Sequence, residues 1–224
     1  MAANKLSKIL RWVGKSREWV ESLLDSVGNH PTIRCVVILG SAIRPHGHRR
    51  SDFDLLIVYD GNQRPKLAPP TEIDVRRYAR NDLHKKIDQA DEVLCWALKF
   101  GIPIHDPDGI WAELLQTYGN RIPLPSKPEA MERARKSLKK AYEMLDHDDE
   151  DGAADLILAS LTQFVRAELI TRGVFPASRP ELPDQLRKVS PDNALAGLLE
   201  EAMYGDTSPF SLCDETSRAT ELYV

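Results

Sequence analysis

Between residues 36 and 60 an apolar run, VVIL, ends at Gly40-Ser41, a polar and basic loop follows, and two aspartates one residue apart enter a second apolar run, LLIVY. No other stretch restricts the fold so tightly. Side chains alternate between the faces of a strand, so Asp52 and Asp54 project together while Phe53 and Leu55 turn the other way, toward a core. Carboxylates held side by side repel. A hard divalent cation such as Mg²⁺ relieves the repulsion, takes carboxylate oxygens and keeps positions open for water and phosphates. The pattern predicts two adjacent strands with a metal-bound polyphosphate at their ends.

Gly40 sits where the first strand stops, and a residue without Cβ lets the main chain approach a phosphate closely. Ser41 adds a hydroxyl donor. The loop beyond carries Arg44, His46, His48, Arg49 and Arg50, which places positive charge beside the expected phosphates. A third strand is expected in TEIDVRRY, where Ile73 and Val75 share one face and Glu72, Asp74 and Arg76 the other. Asp74 then supplies a third carboxylate for a pair of ions, or a group able to accept a proton from a nucleophile. Glu72 reads as a solvated residue at the strand entry.

Glycine-serine, ten intervening residues, Asp-x-Asp and a lone Asp on a later strand together resemble the polymerase-beta-type nucleotidyltransferase superfamily. Its small bacterial members are the most similar: the minimal nucleotidyltransferases paired with HEPN helical domains, and the antibiotic nucleotidyltransferases. The resemblance covers about residues 33 to 80. It implies that Gly40 and Ser41 hold a triphosphate, that Asp52 and Asp54 ligate two Mg²⁺ ions, and that Asp74 is the third ligand or the base; the loop itself sets Arg44 and Arg49 beside that triphosphate. Read from the residues alone, the aspartate pair also suits an edge strand protected by charge, or a calcium-binding turn. The second of these fits poorly, because SDFDLLIVYD becomes apolar at once.

The wider composition narrows the classes further. With 224 residues and 42% apolar content the chain can bury a core, and it has no run of eighteen apolar residues. Its amphipathic start is unlike a signal sequence, so a cytoplasmic location without membrane attachment is expected. Cys35, Cys95 and Cys213 match neither a zinc site nor a disulfide framework and are expected to be reduced thiols. His46 and His48 are read as loop residues near phosphate. A net charge of −4 argues against strong nonspecific nucleic-acid binding over the whole surface. The acidic run Asp146, Asp148, Asp149, Glu150 and Asp151 reads as a solvated turn between helices.

Apolar residues spaced three and four apart from Leu6 to Val27 predict an amphipathic helix ending near Gly28. It can pack on its own domain or on a second copy in a homodimer, and its own domain is the expectation. A helix capped by Asn81 is expected to run to Phe100, followed by a short strand around Ile102 and Ile104 and a helix over 110–118. The prolines of NRIPLPSKPEA mark a boundary at 120–128, dividing a nucleotidyltransferase-like domain, 1–122, from a helical bundle, 128–224. Helices are expected there at 129–146, 151–172 and 192–204, with a proline-rich joint before the last. The fold class is α/β of the α+β kind: a small mixed sheet, then helices.

On the second of those helices Leu161, Phe164 and Val165 form a stripe that Glu168 continues. The antibiotic nucleotidyltransferases draw a general base from a helical-domain glutamate, and the resemblance gives Glu168 that role. Arg172, one turn on, offers it an ordinary ion-pair partner instead. HEPN ribonucleases carry an arginine followed four to six residues later by a histidine, and this bundle has no such pair. The expected activity is Mg²⁺-dependent transfer of a nucleoside monophosphate, AMP from ATP, to a hydroxyl of a small molecule such as an aminoglycoside, a protein or an RNA. The alternative is a non-catalytic, antitoxin-like module that uses the same fold to bind a partner.

Overall fold

The computed structural model describes residues 15–28, 30–40, 43–44 and 53–221. They form a mixed α/β chain that divides into two compact units, Met1–Pro123 and Leu124–Val224. The first unit holds helix α1 (Lys15–Val27), strands β1 (Ile33–Leu39), β2 (Phe53–Tyr59) and β3 (Ile73–Ala79), helices α2 (Leu83–Asp88) and α3 (Glu92–Phe100), strand β4 (Ile102–His105) and helix α4 (Ile110–Tyr118). The sheet runs in the order β3-β2-β1-β4. Strand β1 is antiparallel to β2 and β4, and β2 is parallel to β3.

Period-two alternation explains why these segments are strands. In β3, buried Ile73 and Val75 alternate with exposed Asp74 and Arg76. The inward residues join Val36, Ile38, Leu55 and Ile57 in a core closed by Val20, Leu23 and Val27 of α1, so this helix packs on its own sheet. A bulge between Ile33 and Cys35 lets Ile33 and Val36, three apart, meet the same core. On the opposite face Cys35, Val37, Leu56 and Val58 are fully buried, and α3 and α4 lie against β1. A sheet covered on both faces needs the continuous apolar runs seen in β1 and β2.

Between β3 and β4 the expected single helix is two. A left-handed residue, Ala90 at φ +57°, interrupts it, and α3 restarts with the Asp91 carboxylate accepting a hydrogen bond from Leu94 N at 3.0 Å. The same Oδ1 accepts the Tyr78 hydroxyl at 2.8 Å, tying α3 to β3. Asn81 lies in a 3₁₀ turn, Arg80–Asp82, which has no side-chain cap. At the far end of α3, Gly101 passes so close to β1 that a Cβ would lie 2.8 Å from Val37 Cγ1. Strand β4 follows and carries Pro103 opposite Val37.

The second unit contains α5 (Lys127–Leu145), α6 (Glu150–Thr171), α7 (Leu182–Val189), α8 (Ala194–Tyr204) and α9 (Pro209–Thr220). Ser126 and Glu129 open α5 in the manner of a capping box, with Ser126 Oγ accepting Glu129 N at 3.3 Å. The acidic run forms the turn into α6, where Asp149 caps Gly152 N at 2.9 Å. Ala130, Ala134 and Ala141 of α5 lie in one core with Ile157, Leu161, Phe164 and Val165 of α6. Small residues allow the close approach by which buried Ser160 Oγ donates to Ala134 O at 2.9 Å.

Two helices of this unit depart from the sequence expectation. Helix α7 forms inside the proline-rich joint, because Pro183 falls in its first turn, where a missing N–H costs nothing and the fixed φ is already helical. Leu182 and Leu186 anchor it, both fully buried. Helix α9 was not expected at all. Among the described residues no helix is long and apolar enough to cross a membrane. All three cysteines are free and buried.

Candidate functional site

Strand pairing brings three positions to one end of the sheet. Leu39 at the end of β1 pairs with Asp54 near the start of β2, and Asp54 pairs with Asp74 near the start of β3. Paired residues point to the same face, so the two carboxylates stand on neighbouring strands about 4.8 Å apart at the backbone. Asp54 is half-buried and Asp74 exposed. That face is the one opposite α1, since Leu55 and Val75, the next residues along, enter the core with α1.

Gly40 follows Leu39 directly, with φ +89°. A Cβ at this position would lie 2.1 Å from Asp54 Oδ2 and 3.1 Å from Asp54 Cγ. Two requirements therefore converge on glycine: a left-handed backbone and room for a carboxylate. Sequence alone leads one to expect a phosphate close to Gly40. The immediate neighbour in the fold is the Asp54 side chain.

Asp74 is not alone on its strand. Arg76, two residues on and so on the same face, places Nη2 at 2.5 Å from Asp74 Oδ2, with both side chains about half exposed. Strand alternation put Arg76 on the carboxylate face, but no spacing rule says that it closes on Asp74. Arg44 lies with its guanidinium carbon 4.3 Å from the centre of the Phe100 ring. Phe100 precedes Ile102, the partner of Ile38, so this stacked cation sits at the Gly40 end of the sheet. Phe100 was missed from sequence; an aromatic at a helix end carries no signal of a cation above it.

Asp52, Ser41 and Arg49 lie outside the described residues, as do His46, His48 and Arg50. Among the described residues no group of three or more His, Cys, Asp or Glu side chains is arranged to hold a metal ion. Asp54 and Asp74 form a pair of hard oxygen donors in adjacent register, a donor set that suits Mg²⁺ or Ca²⁺ better than Zn²⁺.

Glu168 belongs to the second unit and is 7% exposed. Arg172 donates to its Oε1 from Nη2 at 2.6 Å and from Nε at 3.0 Å, and also reaches Ser190 Oγ at 3.1 Å. The ion pair one helical turn on is thus formed.

Cys35 and Cys95 are held as thiols by their surroundings. Burial, then the neighbouring Asp106, pushes the Cys35 thiol far above its ordinary range. Asp106 itself caps α4, accepting Trp111 N at 3.1 Å on Oδ1 and Ala112 N at 3.2 Å on Oδ2. Burial and Asp91 push Cys95 up to about 12. Thiols so held are not thiolates near neutrality.

No family model matches the chain, and no curated protein matches it. Among solved structures, a nucleotidyltransferase-like protein from Exiguobacterium sibiricum 255-15 is similar over 91% of this chain and 72% of its own, at 11% identity and a TM-score of 0.46. A likeness at that level assigns neither family nor activity.

Proposed function

We propose that the chain is a Mg²⁺-dependent nucleotidyltransferase that moves a nucleoside monophosphate, AMP from ATP, to a hydroxyl and releases pyrophosphate. One juxtaposition supports the reading: Asp54 and Asp74 in register on adjacent strands, with the Asp54 carboxylate lying over left-handed Gly40. In sequence, Ser41 follows Gly40 directly and Asp52 stands two residues before Asp54.

Asp52, Asp54 and Asp74 would hold the metal, which, when bound, neutralises phosphate charge and polarises the reacting oxygens. The acceptor oxygen attacks the α-phosphorus, and the bond from that phosphorus to the bridging oxygen breaks. Pyrophosphate leaves with the electron pair. The hydroxyl proton passes to a carboxylate, for which Asp74 is the candidate in this unit. Gly40 and Ser41 offer main-chain and hydroxyl donors to the triphosphate, with Arg44 and Arg49 as nearby cations. The rest is positioning. A small molecule such as an aminoglycoside, a protein and an RNA all remain acceptor classes to be tested, with action in the cytoplasm.

A second reading has one observation in its favour. Arg76 already occupies an oxygen of Asp74, as it would in a fold kept for gripping a partner without metal. Incubation with each labelled nucleoside triphosphate, Mg²⁺ and a panel of aminoglycosides, RNA and cell extract separates the two. Label transfer that disappears in Asp54→Asn supports the transferase. A protein that binds no nucleotide at all with Mg²⁺ present supports the binding module.

A further inference from the structure

We propose that the groove between α5 and α6 holds a single-stranded nucleic acid by its phosphodiester backbone, independently of nucleotidyl transfer. The groove is a cavity of about 290 Å³ walled by Arg133, Lys136 and Lys140 of α5 and by Arg179 from the turn before α7. None of its lining residues is acidic. Among the described residues Lys136, Lys140 and Arg179 make no ion pair. The run RARKSLKK, residues 133–140, places five basic residues and no acid in an otherwise acidic chain of net charge −4. A basic stripe along one helix is the electrostatic footprint of a phosphate backbone.

The geometry favours a strand over a small phosphorylated ligand. Arg133, Lys136 and Lys140 recur at three and seven residues, on one helical face, and so span about 10 Å. That length faces roughly three phosphates at about 3.4 Å each along a stacked strand. No aromatic ring lines the cavity, so it offers no base, of a nucleotide or of a strand, a stacking platform, and the hold proposed is on the backbone alone. The floor mixes Leu156 and Ala159 with Thr162, whose hydroxyl donates to Leu158 O at 2.6 Å, and Gln163, whose Oε1 is buried without a hydrogen-bond partner. The Gln163 carboxamide can turn about its last bond and present its N–H₂ to a phosphate oxygen. Contacts of this kind position a backbone and carry no base sequence.

The test uses the full chain with EDTA present, so that no metal-dependent nucleotide binding contributes. Fluorescence anisotropy is measured with labelled twelve-residue RNA, the same DNA sequence, ATP and a twelve-residue polyglutamate peptide, across a salt series. RNA and DNA are expected to bind, with a slope of log affinity against log salt of about −2 to −3, from up to four cations at roughly 0.7 each. Lys136→Glu with Lys140→Glu should weaken strand binding at least tenfold and reduce the slope by about 1.4. Lys127→Glu with Lys188→Glu makes the same change in net charge away from the groove and should leave most of the affinity. Should the reversal variant fail to fold, Lys136→Gln with Lys140→Gln replaces it. The proposal is overturned if neither strand binds, if the control pair loses as much, or if ATP or the acidic peptide binds as tightly as RNA and DNA.

Discussion

Replacing Gly40 with alanine tests the packing at the end of the sheet, and its cost can be worked from two separate geometric facts. At φ +89° a residue with Cβ pays about 1–2 kcal/mol for the left-handed backbone. The new Cβ also lands 2.1 Å from Asp54 Oδ2, so the carboxylate must swing aside. An off-rotamer side chain costs roughly 1 kcal/mol. Gly40→Ala should therefore destabilise the first unit by about 2–3 kcal/mol, which at a urea slope of about 2 kcal/mol/M lowers the midpoint by roughly 1–1.5 M. The protein supplies its own probe: Trp12, Trp19, Trp96 and Trp111, its four tryptophans, all precede residue 124, so fluorescence excited selectively in tryptophan follows this unit. In an Asp54→Ala background the carboxylate is gone and only the backbone strain remains, so the double-mutant cycle should show a coupling of about 1 kcal/mol. A Gly40→Ala cost below about 0.5 kcal/mol, or an equal cost in both backgrounds, refutes the reasoning.

Three further outcomes are expected. Asp54→Asn and Asp74→Asn should each reduce Mg²⁺-dependent label transfer by roughly 10²-fold or more, the scale on which lost transition-state charge stabilisation acts, while far-ultraviolet circular dichroism and thermal midpoint stay unchanged. Arg172→Met strands the Glu168 carboxylate, whose side chain is 9% exposed, and should cost the second unit about 2–3 kcal/mol by urea melts followed at 222 nm; adding Glu168→Gln should restore most of it. Burial holds protons on Cys95, pushed up to about 12, on Cys213, pushed up to about 11, and on Tyr78, raised with Asp91 as its hydrogen-bond partner. The folded state thus binds these protons more tightly than the unfolded chain, so stability is intact below about pH 9 and declines as pH rises beyond it. Denaturant melts at pH 8 and pH 10.5 check the sign, and a stability that rises over this interval contradicts it.

What could be read from sequence follows the physics of each signal. Alternation in TEIDVRRY and the apolar runs around Gly40 and Asp54 specify strands, because period two has no helical counterpart over such lengths. The register that sets Asp54 opposite Asp74 was not readable: the link between β2 and β3 lets the strands slide, and pairing is settled by which side chains reach the core. The break at Ala90 was invisible because alanine is a strong helix former, and the stop comes from Asp91 capping α3 and binding Tyr78 instead. Helix α7 was hidden by a proline that looks like a breaker yet occupies the one turn that tolerates it. The Arg172 partner of Glu168 was readable, since it needs only a four-residue spacing. The basic run at 133–140 of α5 is hidden by net charge, which averages away a local stripe.

The two flanks of the sheet are unequal. On one side β4 is four residues long and places Pro103, with no N–H to donate, in the outermost strand. That flank is ill suited to recruiting another polypeptide by main-chain pairing. On the other side β3 extends for seven residues without proline and, among the described residues, is paired only with β2. An extended peptide that docked by β-augmentation would therefore join at β3, laying its own backbone alongside Asp74 and Arg76.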